Sequence, residues 1–131
     1  MARTLDQQRA AFAWDCVTDR NKKLKGDQWK KYRDLAKGAP GLIMNSGLMP
    51  TLAFYEGKGK NSDRMPWMLL DDVMRGLFDR LNGTQLDVDK GRPLFDVFMR
   101  SLQEGSSHDY LRATDEALEV LKWIRQFVDA V

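Results

Sequence analysis

Histidine is the side chain most often used as a general base near neutral pH, and this 131-residue chain has one, His108. It stands in Ser106-Ser-His-Asp-Tyr110, a run of polar residues suited to capping a helix start, so it reads as an exposed capping-region residue rather than a catalytic base. Cys16 falls on the apolar side of the first periodic segment, where a free cysteine behaves as a small hydrophobe, and nothing in the local sequence pairs it with His108. Asp87-Val-Asp89-Lys-Gly91 resembles the opening of a calcium loop. The match fails at the sixth position, Arg92 in place of Gly, and at the twelfth, Phe98 in place of Glu. Gly57-Lys-Gly-Lys-Asn-Ser62 mixes glycine and lysine as phosphate loops do, but without the G-x-x-x-x-G-K-[ST] spacing or a preceding strand. Asp71 and Asp72 are adjacent and would point about 100° apart on a helix. Asp71 lies four residues before Arg75, so a surface ion pair explains them better than paired acid/base carboxylates. No enzyme is expected, and no cofactor or metal.

The elements that carry these residues read as helices throughout. Leu5, Phe12, Ala13, Cys16, Val17 and Leu24 recur at helical spacing in a first helix over about 4–25, which Gly26 and Asp27 end. Trp29, Tyr32, Leu35 and Ala36 line a short second helix over 27–37, and Gly38-Ala-Pro-Gly41 is expected to break the chain. Residues 42–55 are the most apolar stretch, with Leu42, Ile43, Met44, Leu48, Met49, Leu52, Ala53 and Phe54, and are expected to form a buried central helix. Pro50 inside it predicts a kink or a helix that starts afresh near Met49. Residues 56–65 read as a basic, glycine-rich surface loop. Trp67, Leu70, Met74, Leu77, Phe78 and Leu81 predict a helix from Pro66 to Asn82. A loop over 83–92 follows, then a helix from Pro93 to Gly105 carrying Leu94, Phe95, Val97, Phe98 and Leu102, and a long C-terminal helix near 106–130 opened by Ser106 and Asp109. The fold class expected is all-α: a single-domain bundle of about six helices spanning 1–131.

Composition narrows the setting. One cysteine allows no intramolecular disulfide and no Cys/His zinc set, which fits a cytoplasmic protein. No apolar stretch approaches the roughly 20 residues needed to cross a bilayer, and Met-Ala-Arg-Thr-Leu-Asp has no signal-peptide character. The formal charge is +2, but residues 1–65 hold 13 Lys and Arg against 7 Asp and Glu, and residues 66–131 hold 8 against 12. Arg20, Lys22, Lys23, Lys25, Lys30, Lys31, Arg33 and Lys37 face only Asp27 and Asp34 within their stretch. Such a patch can neutralise phosphates and gain affinity by counterion release. Trp29 and Tyr32 lie among these cations and could stack bases, although their spacing suits core packing better.

Three segments occur in a telling order: Arg9-Ala-Ala-Phe-Ala; Ala39-Pro-Gly-Leu-Ile-Met-Asn-Ser-Gly-Leu-Met-Pro-Thr-Leu-Ala-Phe54; and Tyr110-Leu-Arg-Ala-Thr-Asp-Glu-Ala-Leu-Glu-Val-Leu-Lys-Trp-Ile-Arg-Gln-Phe-Val-Asp-Ala130. Together they resemble the small subunit of the Cmr complex, the type III-B CRISPR RNA-guided effector. The family's marks are an apolar run followed by Asn-x-Gly-Leu-x-x-Thr-Leu-Ala-Phe, and a last helix of the form Tyr-x-x-Ala-Thr-x-Glu-Ala-Leu-x-x-Leu-x-Trp-x-x-x-Phe. Pro50 stands at a variable position, and Ile124-Arg125-Gln126 replaces a Leu-Lys-Arg type run, one cation fewer.

The resemblance implies a non-catalytic subunit of an antiviral ribonucleoprotein. Its partners would be the complex's backbone and large subunits, further copies of itself in a head-to-tail filament, and guide and target RNA; no membrane is implied. Asn45, Gly47, Thr51, Ala53 and Phe54 would build the central helix, with Trp123 and Phe127 holding the last helix onto it. Charge clustering picks Lys22, Lys23, Lys30, Lys31, Arg33, Lys58 and Lys60 for RNA contact, and Arg112, Lys122 and Arg125 match or adjoin the terminal motif. Two other readings stay open: a helical protein–protein adaptor whose basic face binds an acidic partner, and a small enzyme using His108.

Overall fold

In the computed structural model the described residues, 2–61, 63–82 and 93–131, form six α-helices and no strand. They are α1 (Leu5–Lys23), α2 (Asp27–Ser46), α3 (Leu48–Asn61), α4 (Met65–Asn82), α5 (Pro93–Glu104) and α6 (Ser107–Phe127). The expected loop over 83–92, with its calcium-like segment, lies outside the described residues, as do the side chains of Leu81 and Leu94.

Local chemistry accounts for the boundaries. At α1 the Thr4 hydroxyl accepts from the Gln7 N–H at 3.1 Å while the Gln7 side chain accepts from the Thr4 N–H at 2.7 Å, a reciprocal cap. Ser106 caps α6 by accepting from the Asp109 N–H at 3.1 Å.

The middle of the chain departs from expectation. Gly38-Ala-Pro-Gly41 does not break α2, which continues through Pro40 to Ser46. A proline there removes one backbone bond and crowds the preceding turn, at a cost of about 3 kcal/mol. Against that, Tyr32, Ala36, Ala39 and Ile43 form one buried stripe at steps of four, three and four, and an ordered helix is needed to keep all four inside. The break comes at Gly47, whose φ of 95° and ψ of 165° place it in a region essentially reserved for glycine. The helix expected over 42–55 is therefore two elements. α3 starts afresh at Leu48, so Pro50 sits in a first turn where no N–H partner is required. Residues 56–61 are the end of α3 rather than a loop: Gly59 is buried where a β-carbon would fall on the Trp67 ring, and the Trp67 Nε1–H donates to the Glu56 carbonyl at 2.9 Å.

The centre of the bundle is also elsewhere. α6 packs against α1, α2, α3 and α4 and buries Ala113, Ala117, Val120, Leu121 and Ile124. α4 adds Leu69, Leu70, Val73, Met74 and Leu77. Within 42–55, by contrast, Leu42 is 36% exposed, Met44 75% and Phe54 52%, while Ala53 and Asn45 also face outward. Of the motif residues expected to pack, Thr51 does and Asn45, Ala53 and Phe54 do not. The stretch owes its apolar character to a solvent-facing surface as well as to core contacts.

Candidate nucleic-acid interface

Five long-range contacts set how the helices carry the cationic side chains. The Arg20 guanidinium, from the end of α1, donates to both oxygens of Asp72, Nε at 3.1 Å to Oδ2 and Nη2 at 3.0 Å to Oδ1, and reaches the Met68 carbonyl at 3.3 Å. The ion pair Lys31–Asp63 ties the first turns of α2 to the α3–α4 connection. The Tyr55 hydroxyl lies 3.5 Å from the Leu35 carbonyl, so α2 and α3 run antiparallel. The Met49 N–H donates to the Tyr110 hydroxyl at 2.9 Å, and Lys37 pairs with Asp129 at 2.8 Å, so α6 runs antiparallel to α2.

One end of the bundle therefore collects the end of α1, the start of α2 and the end of α3. Lys22, Lys23, Lys25, Lys30, Lys31, Lys60 and Arg64 belong to it, and all seven are exposed. Lys23 pairs with Asp19 at 3.2 Å and Lys31 with Asp63, while Lys22, Lys25, Lys30, Lys60 and Arg64 make no ion pair among the described residues. The Lys31 ammonium and the Met65 N–H both bond to Asp63 and hold its carboxyl below the usual range. Lys58 lies a little further along α3, its Nζ 5.6 Å from the Phe54 ring centroid. Arg33 is only partly exposed and sits 3.9 Å from Asp34.

The residues named from the terminal motif lie apart from this end. Arg112 follows Tyr110 beside the α2–α3 turn, about 24 Å along α2 from Lys31 at 1.5 Å per residue. Lys122 pairs with Glu119 at 3.0 Å and lies over the Trp123 ring, while Arg125 is exposed in the last turn. The ten candidate RNA contacts thus divide between a compact basic end and scattered positions on α2, α3 and α6.

Two residues change role. Asp72, expected in a surface ion pair, is 0% exposed. Besides Arg20 it accepts from the Tyr32 hydroxyl at 2.6 Å and from Arg75 Nη2 at 2.7 Å. A carboxylate without water must be paired and hydrogen-bonded, and these three partners fasten α1, α2 and α4 together. Burial disfavours the Arg20 charge, but the adjacent Asp72 carboxylate outweighs it and holds the guanidinium above its ordinary pKa. Arg20 is consequently a structural cation, not part of the open patch. Similarly, Arg9 donates to both oxygens of Glu116, at 2.8 and 2.7 Å, joining α1 to α6. Sequence reasoning missed both pairs; the only signal was an Arg and a Glu standing inside apolar stripes.

The other candidates are quieter. His108 is exposed in the first turn of α6. Cys16 is buried against the Asp72 cluster, 3.5 Å from Arg75 Nη2, and burial pushes its thiol pKa up, away from nucleophilic use. Tyr32 is core, with Trp29 stacked on it at 5.8 Å. Among the described residues no three His, Cys, Asp or Glu side chains converge as a metal site, and no helix is long and apolar enough to cross a membrane.

This geometry can be set beside known proteins. The family profile described as CRISPR-associated protein (Cas_Cmr5) matches residues 5–131, nearly the whole chain. The chain belongs to the Cmr5 family. A curated relative, the CRISPR system Cmr subunit Cmr5 of Thermus thermophilus, is 27% identical over 129 residues, 98% of this chain and 96% of the relative. The crystal structure of a CRISPR-associated Cmr5 family protein from the same organism superposes with a TM-score of 0.72 at 26% identity, covering 98% of this chain and 97% of that one. Three residues of the segments that carry the resemblance now have a physical reading: Gly47 makes the α2–α3 break, Tyr110 braces the start of α3, and Glu116 anchors Arg9.

Proposed function

We propose that this Cmr5-family chain is a non-catalytic, single-domain structural subunit of a cytoplasmic type III-B CRISPR (Cmr) ribonucleoprotein in antiviral defence. Copies of it would stack head to tail into a filament beside the backbone and large subunits, lining the groove that holds guide and target RNA. The observation that carries this reading is the basic end itself: five exposed cations without intramolecular carboxylate partners among the described residues, held on three converging helix ends. A guide–target duplex is gripped through its phosphates and needs cations rather than base-reading groups. For RNA contact Lys22, Lys30, Lys31 and Lys60 come first, then Lys23, Arg33 and Lys58, with Arg112, Lys122 and Arg125 on other surfaces.

Co-expression with the other Cmr subunits and a guide RNA tests the reading. The chain is expected to co-purify with the assembled particle, and binding of single-stranded RNA or guide–target duplex should weaken as salt rises. Failure to enter the particle would overturn it. Binding to an acidic protein with no RNA binding at low salt would favour the adaptor alternative instead.

A further inference from the structure

The outer face of α3 carries an aromatic side chain, Phe54, that touches the Tyr55 ring at 5.8 Å between centroids but stays half exposed. Leu48, Thr51, Leu52, Tyr55 and Gly59 face the core, whereas Phe54 is 52% exposed beside exposed Ala53 and Pro50. Ala53, Phe54, Gly57, Lys58 and Asn61 line a shallow, largely apolar hollow. Gly57 forms part of its floor, and a β-carbon there would meet nothing within 4 Å, so internal packing gives no reason for glycine in mid-helix. Asn61 Nδ2 donates to the Gly57 carbonyl at 2.9 Å. Lys58 Nζ lies over one face of the Phe54 ring, 5.6 Å from its centroid, which leaves the other face for a base.

The geometry points to this hollow as a stacking site for an unpaired RNA base, with Phe54 as the platform and the following phosphates on Lys58, Lys60 and the basic end. This deepens the RNA-lining role proposed above and rests on it. An exposed ring beside a cationic track is the arrangement that holds single strands without sequence preference. The cations decide between RNA and an acidic protein. A carboxylate cluster would be matched by Lys58 and Lys60, but the positive track runs on from α3 through Arg64 to Lys30 and Lys31 on α2, and to Lys22 and Lys25 at the α1–α2 turn. A track of that length suits a polyanionic strand. The small floor at Ala53 and Gly57 leaves room for a flat base to approach the helix backbone.

The test uses the full chain and a short oligoadenylate RNA carrying 2-aminopurine. With the unaltered chain the fluorophore should be quenched on binding. Phe54→Ala should abolish the quenching and weaken binding about five-fold or more, leaving the salt slope unchanged; Phe54→Trp should restore both. Lys60→Ala should do the opposite, lowering the slope while quenching at saturation persists. If Phe54→Ala binds and quenches like the parent while Lys60→Ala still lowers the slope, the platform is wrong and the RNA-lining reading stands. No RNA binding by the unaltered chain at low salt overturns both. Loss of subunit assembly in Phe54→Ala with RNA binding intact would make the hollow a protein dock and overturn the platform. Thermal melting shows whether each variant is folded.

Discussion

Asp72 shows how much structure one carboxylate can hold. It has no contact with water and accepts from Arg20, Arg75 and Tyr32. Asp72→Ala would leave two guanidinium groups without their counter-charge, and removing one partner of a buried pair costs about 3–5 kcal/mol. Chemical denaturation should register a loss of that size; a change below about 1 kcal/mol would mean that water replaces the carboxylate. Gly47→Ala is expected to cost about 1–3 kcal/mol, because an L side chain is strained at that φ and ψ. Tyrosine burial sets a pH limit. Burial raises the Tyr55 hydroxyl to about 12 and pushes Tyr32, which also faces Asp72, well above the ordinary value. In the unfolded chain both ionise near pH 10. Above that point the unfolded state binds fewer protons than the folded one, so stability falls as pH rises. Unfolding followed from pH 8 to 11 should show the decline beginning near 10, and Tyr55→Phe should soften it.

At the level of helices, legibility depended on how far away the deciding interaction lay. The ends of α4, α5 and α6 follow from Pro66, Pro93, Gly105 and Ser106, whose effects act within one turn. The end of α2 did not follow from Pro40, because the cost of that proline is local and the burial that offsets it depends on α4 and α6. Gly57 and Gly59 read as loop residues for a related reason, as the use of Gly59 appears only once Trp67 has folded against it. Asp72 was misplaced because its main partner is 52 residues distant. Similarly, apolar residues at 42, 44 and 54 signalled burial when their faces point outward. A helical Gly38 makes a direct prediction. A β-carbon there meets nothing within 4 Å, so Gly38→Ala should stabilise the protein by about 0.5–1 kcal/mol. If residues 38–41 were a turn, as their composition suggests, the substitution would give no gain.

For the whole molecule, the two-sided charge is real but smaller than the sequence sums imply. Arg9 and Arg20 from the first half neutralise Glu116 and Asp72 from the second inside the protein, which leaves +4 and −2 from the original +6 and −4. What remains positive is concentrated at the end formed by α1, α2 and α3, and Arg112 lies at the opposite end of α2. RNA binding should therefore be polar along the bundle. Each phosphate contact on a single strand contributes about 0.7 to the slope of log affinity against log salt. Lys30→Ala and Lys60→Ala should each reduce the slope by about that amount, and the double variant by about twice as much, because the two side chains share no partner. Arg112→Ala should leave the slope of a short RNA unchanged, since a strand seated on the basic end does not span the roughly 24 Å along α2. Arg20→Ala should lower stability through Asp72 while leaving the slope near that of the parent under conditions where it is folded. Equal slope changes at Lys30 and Arg112 would mean that RNA runs along the bundle rather than across its basic end.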